Sequence, residues 1–153
     1  MGFLTGKTAI ITGGGRAVLS NGECGSIGYG IATAYAKEGA NLVLTGRNVQ
    51  KLTDAKEERE AKYGIKVLPV QADVSAGSDN EAIVQNVVKQ AIDTFGRIDV
   101  LINNAQASAS GVTIADHTTE QFDLAVYSGL YAAFYYMKAC YPYLKETKGS
   151  VIN

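Results

Sequence analysis

The chain has 153 residues, a net charge of −1, 46% hydrophobic residues and 19% charged residues. These totals suit one compact domain spanning 1–153, and they exclude both a disordered chain and one drawn to nucleic acid by overall charge. No apolar run is long enough to span a bilayer, and the N-terminus has neither the basic start nor the cleavage site of a signal peptide. Two cysteines without metal-type spacing (Cys24, Cys140) and a single histidine (His117) argue against a structural zinc site and point to a reduced, cytoplasmic compartment.

Along the chain, short β-branched runs alternate with helical patterns. Lys7–Thr12 reads as a buried strand. Ile27–Gly39 reads as an alanine-rich helix with Gly39 where a terminating glycine belongs. Asn41–Thr45 is a second strand, and residues 49–64 form a charged amphipathic helix ending at Gly64. Lys66–Val74 is a third strand in which Pro69 signals an edge or an irregularity. Asp79–Gly96 is a helix with Ile83, Val87, Val88, Ile92 and Phe95 on its apolar side. Ile98–Ala105 is a fourth strand with a polar end. After a small-residue loop, in which Asp116, His117 and Thr118 prepare a helix start, a long helical stretch runs over 119–146, and Gly149–Asn153 opens a fifth strand. This order gives right-handed βαβ crossovers and a parallel sheet covered on both faces. No linker, repeat or low-complexity segment interrupts it.

Seven of the 17 glycines fall between Thr12 and Ala32. In a sheet of this kind ligands bind beyond the carboxyl ends of the strands. The first strand-to-helix turn offers unpaired N–H groups and a helix dipole to a pyrophosphate. Gly13, Gly14, Gly25 and Gly28 suit such a turn, because glycine lets the backbone approach a ligand and lets the helix pack on the sheet.

With "TGGGR…SIGYGIA", "GRN" after the second strand, "ADV" after the third and "NNA" after the fourth, the chain resembles the short-chain dehydrogenase/reductase family from Lys7 to Asn153. The resemblance implies a Rossmann-type doubly wound parallel sheet, truncated at the fifth strand. It also implies hydride transfer between a nicotinamide and a carbonyl or alcohol substrate. The family's turn is T-G-x-x-x-G-x-G. Thr12–Arg16 matches its beginning and Ile27-Gly28 its end, so Ala17–Ser26 reads as an insertion beside the cofactor. Such a loop is a flap over the phosphates, a reach to a neighbouring subunit, or a surface excursion. The implied cofactor contacts are Gly13, Gly14, Gly15, Arg16, Ser26, Ile27 and Gly28 in the turn, with Arg47, Asp73, Val74, Asn104, Ala105 and Gln106 along the strand ends.

Gly46 stands where an NAD site has its ribose-binding acid, and Arg47 follows. Arg16 adds a second base, and no carboxylate competes at either place, so NADP(H) is expected rather than NAD(H). Asp73 resembles the adenine-binding aspartate, though a turn cap is the plain structural reading of it. Asn104 and Ala105 are placed along the nicotinamide ribose, and Asn103 in the sheet. Gln106 replaces the usual glycine and is expected to crowd the cofactor's edge.

The family's serine, tyrosine and lysine lie beyond the fourth helix. No Tyr-x-x-x-Lys spacing stands at a suitable place here, so no catalytic residue is assigned. Gly129 occupies the position of the family's asparagine, with Ser128 beside it as a weak substitute. The chain is therefore expected to be the cofactor-binding half of a longer enzyme, inactive alone. The alternatives are a non-catalytic dinucleotide-binding module or an enoyl reductase relative. Tyr127, Tyr131 and Tyr135 share one helix face, and Leu130, Phe134, Met137 and Tyr141 another. One face is expected on the sheet, and the other in a homo-oligomer contact through the Tyr127–Tyr143 helix.

Overall fold

A computed structural model describes residues 2–153. Five strands form one parallel sheet in the order β3-β2-β1-β4-β5: β1 (Thr8–Thr12), β2 (Asn41–Gly46), β3 (Val67–Gln71), β4 (Val100–Ile102) and β5 (Ser150–Ile152). β3 is an edge strand, and Pro69 lies within it opposite Leu44, where its missing N–H breaks no ladder on the outer side.

Five α-helices cover the two faces. α1 (Ile27–Lys37) and α2 (Val49–Tyr63) lie on one side, where Ala32, Ala36, Leu52 and Ala55 pack on Ile11, Leu42 and Leu44. α3 (Asn80–Phe95) and α5 (Ala132–Thr147) lie on the other, where Val84, Val87, Tyr136 and Cys140 pack on Ile10, Val43 and Leu101. α4 (Thr119–Val126) precedes α5. Local chemistry sets the ends. Asn48 caps α2 by accepting from the Lys51 N–H at 3.0 Å. Thr118 and Gln121 form a capping box at the start of α4, as the Asp116–Thr118 stretch led one to expect. Gly64 and Gly96 close α2 and α3 in the left-handed conformation, at φ 66° and 71°, which glycine adopts without strain.

Two strands are shorter than the sequence indicates. β3 stops at Gln71, so Asp73 and Val74 leave the ladder. β4 stops at Ile102, because the next amides turn away from strand pairing: the Asn104 and Ala105 N–H groups both donate to Thr12 Oγ1.

The long helical stretch is also not one α-helix. A π-helical segment over Tyr127–Tyr131 joins α4 to α5. Neither of the two aromatic faces is the packed one. The buried stripe is Ser128, Ala132, Tyr136, Cys140 and Leu144, spaced by four. Tyr131 remains 43% exposed, Leu130 67% and Phe134 52%. Tyr136 is the one aromatic of that stripe and is fully buried, while Tyr135, Met137 and Tyr143 beside it are partly buried against the same core.

At the opposite end of the sheet, Asp99 is buried and accepts from the Thr8 N–H at 2.9 Å and from Arg97 at 2.6 Å. Burial alone raises a carboxyl. Here the hydrogen bonds from Arg97 and Thr8, with the charges of Arg97 and Lys7, hold Asp99 below the usual carboxylate range.

Candidate functional site

Thr12 ends β1 and is 1% exposed. Its hydroxyl accepts from the Asn104 N–H at 3.0 Å and the Ala105 N–H at 2.9 Å, and its carbonyl accepts from Asn104 Nδ2 at 2.9 Å. The end of β1 and the "NNA" segment are thus tied into one unit. α1 crosses directly over it. A Cβ on Gly28 would run into the Gly13 carbonyl and stand 2.5 Å from Asn104 Nδ2, so only glycine lets the helix begin there. Gly14 lies less tightly against Leu44, whose side chain would be 2.7 Å from a Cβ.

The turn divides its amides between two uses. The Gly13 and Gly14 N–H groups both donate to the Thr45 carbonyl, at 2.8 and 3.1 Å. They fix the turn to β2 rather than facing a ligand. The open donors are at the first turn of α1, where the Ile27 and Gly28 N–H groups precede the intrahelical ladder. Ser26 caps this end by accepting from the Tyr29 N–H at 3.4 Å. Asn103 bonds across the sheet instead, its N–H to the Ile152 carbonyl and its amide to Asn153 at 2.7 Å.

Two hollows meet at this point. A cleft of about 290 Å³ runs from Gly13 past Gly46, Arg47 and Asp73 to Asn104 and Gln106. Asp73 Oδ1 accepts from the Ser75 N–H at 2.9 Å and its hydroxyl at 2.7 Å, so this carboxylate caps its own turn while lining the cleft. Burial favours its neutral form, but the two Ser75 bonds and the Arg47 charge outweigh that and keep its pKa low. The second hollow, about 460 Å³, shares Val74, Asn104, Ala105 and Gln106 with the first and reaches Ser128, Gly129 and Tyr136.

Gln106 lines both hollows, and its side chain lies against Gly129: a Cβ there would sit 3.4 Å from Gln106 Nε2. The two departures from the family pattern are therefore neighbours in space. Ser128 is not available as a substitute for the absent asparagine. It is 1% exposed, and its hydroxyl accepts from the Ala107 N–H at 2.9 Å and donates to the Leu124 carbonyl at 2.7 Å. Tyr141 and Lys145 do have a four-residue spacing. They lie near the carboxyl end of α5, which leads into the start of β5 and so faces away from the cleft.

Arg16 departs from expectation. A carboxylate does compete for it: Glu58 of α2 accepts from Arg16 Nε at 2.9 Å. Nothing near Arg16 in the sequence signals this, since 42 residues separate the pair. Arg47 remains exposed at the mouth of the cleft. The Ala17–Ser26 insertion is a small closed hairpin, with a Val18–Cys24 bridge and the Gly25 N–H donating to the Ala17 carbonyl at 2.8 Å.

This sheet order, with a glycine-packed turn and an asparagine-lined cleft at its carboxyl end, defines a dinucleotide-binding domain. Residues 7–153 match the family model described as short chain dehydrogenase, and the chain belongs to that family. It is 65% identical over its whole length to the 12alpha-hydroxysteroid dehydrogenase of a Clostridium species, covering 56% of that protein. It is 36% identical to human hydroxysteroid dehydrogenase-like protein 2, with 96% of this chain and 33% of that one aligned. Among solved structures, L-sorbose reductase from Gluconobacter frateurii, in complex with NADPH and L-sorbose, superposes with a TM-score of 0.82 at 31% identity, over 99% of this chain and 52% of that one. The chain thus spans about half the length, or less, of the relatives it matches.

Proposed function

We propose that the chain forms the NADP(H)-binding part of an oxidoreductase that moves a hydride between the nicotinamide and a carbonyl or alcohol carbon of a hydroxysteroid. The observation that carries this reading is 65% identity, without a break in coverage, to a 12alpha-hydroxysteroid dehydrogenase. The site suits the cofactor. The open amides of Ile27 and Gly28, with the Ser26 hydroxyl and Gly15, would hold the pyrophosphate. Asp73 Oδ2, which the Ser75 bonds leave unclaimed, serves the adenine with Val74. Asn104, Ala105 and Gln106, which line the cleft, would hold the nicotinamide ribose. Preference for the phosphorylated dinucleotide rests on Gly46 and Arg47, where a ribose-binding acid is absent and a guanidinium replaces it. The bound nicotinamide supplies the hydride chemistry.

The test is steady-state turnover of the intact protein with a 12α-hydroxysteroid and NADP⁺ or NAD⁺, followed by the absorbance of the reduced nicotinamide. Turnover with NADP⁺ is expected. Arg47→Ala is expected to raise KM for NADP⁺ about tenfold and leave NAD⁺ nearly unchanged, as loss of one charge-assisted phosphate contact does. Equal losses with both cofactors would refute the preference.

The exposed Leu130, Tyr131 and Phe134 support a homo-oligomer contact on the outer side of the π segment and α5. Tyr131→Ala with Tyr135→Ala is expected to shift the intact protein to monomer on size exclusion. Unchanged elution would remove the proposal.

A further inference from the structure

Among the described residues the most deeply buried charge is Arg59, in the second half of α2 and 0% exposed. A guanidinium there needs both hydrogen bonds and a counterion. Its bonds go to α1: Nη2 donates to the Tyr29 carbonyl at 3.1 Å and to Thr33 Oγ1 at 2.6 Å, and the guanidinium stacks 4.1 Å over the Tyr29 ring. Its counterion is Glu58, which accepts from Nη1 at 3.3 Å. Glu58 is held a second time by the Tyr29 hydroxyl, at 2.7 and 2.8 Å from its two oxygens. Arg16 Nε takes the remaining place on Glu58 Oε2 at 2.9 Å.

Within the hydrogen-bonded set two guanidinium groups share one carboxylate, and the Asp54 charge also acts on Arg16. The member most open to solvent is Arg16, whose side chain is 44% exposed. Arg16 spends only its Nε. Among the described residues nothing bonds its two terminal amines, the edge of the fork suited to a phosphate. Its backbone is fixed as well, the Arg16 N–H donating to the Lys51 carbonyl in the first turn of α2 at 2.8 Å. A long side chain that otherwise sweeps through many rotamers is held at both ends of its stem, with its binding edge open.

We infer that Glu58, locked by Tyr29 and Arg59, is a positioning residue that presents Arg16 as a second arm, with Arg47, on the 2′-phosphate of NADP(H). This inference rests on the cofactor reading above. It has a sign that simple electrostatics lacks. Were Glu58 only a negative charge near a phosphate, removing it would tighten NADPH. As a positioning group, its removal weakens NADPH.

The test is calorimetric titration of the intact protein with NADPH and with NADH. Arg16→Ala is expected to weaken NADPH about tenfold and NADH hardly at all. Glu58→Gln retains one acceptor oxygen but removes the counterion of buried Arg59, so its thermal melt is recorded alongside; the folded variant is expected to weaken NADPH about threefold with NADH unchanged. Tyr29→Phe keeps the ring under Arg59, removes only the hydroxyl, and is expected to act in the same direction by about twofold. Asp54→Asn is the charge control. Asp54 bonds Gln50 and makes no hydrogen bond to Arg16, so its neutralisation should leave NADPH equal or tighter. Wild-type or tighter NADPH binding in Glu58→Gln and Tyr29→Phe, with Arg16→Ala still weakened, would overturn the inference and leave the cofactor reading standing. No effect of Arg16→Ala would overturn both the inference and the place given to Arg16. Absence of NADPH binding by the wild-type protein would remove the cofactor reading itself.

Discussion

The two halves of the connection between β1 and α1 use glycine for opposite purposes. In Gly13, Gly14 and Gly28 the missing side chain makes room: carbonyl, amide or leucine atoms lie where a Cβ would stand. In the hairpin between them, Gly22 has nothing within 4 Å and serves only to turn the chain, at φ 85°. The first set is a packing device that brings a helix end, a strand end and the Asn104 amide together. The second lengthens the chain without touching the site's interior. A glycine-rich stretch is therefore not uniformly flexible or uniformly functional, and contact decides which part is which.

Substitutions sharpen this contrast. Gly28→Ala is expected to have the largest effect, about 3 kcal/mol of stability in urea denaturation with NADPH binding lost, because backbone rather than a flexible side chain lies in the way. Asn104→Ala removes the amide that lies against Gly28 and frees the Thr12 carbonyl. It is expected to cost about 1 kcal/mol and to weaken NADPH roughly tenfold by calorimetry. Replacing Leu19–Glu23 by a two-residue turn is expected to change stability by less than about 0.5 kcal/mol, since loop length enters closure entropy only logarithmically. A loss comparable to that of Gly28→Ala would show that the hairpin is part of the site after all.

Much of the fold is legible in the sequence because its signals are local. Alternating β-branched runs and helical patterns, the terminating Gly64 and Gly96, and Pro69 in an edge strand all follow from short-range chemistry. The placing of the glycine turn beside "NNA" follows from the family resemblance. The misreadings involve distance. Glu58 meets Arg16 only because α2 folds back beside the turn. The buried stripe through Ser128 and Tyr136 was hidden by larger aromatics on either side, although its spacing of four was present in the sequence. The π segment over Tyr127–Tyr131, with Gly129 at its centre, lies inside a stretch that reads as one continuous helix. Thr12 was quoted in the motif, yet its hydroxyl's role as the joint between β1 and β4 requires the register of two strands 90 residues apart.

That joint bears on how binding is timed. A single hydroxyl, buried and bonded to two successive amides, ties the end of β1, where the glycine turn begins, to the segment that follows β4. These bonds come with the pairing of β1 and β4, so a dinucleotide held beside them would not itself have to order that joint.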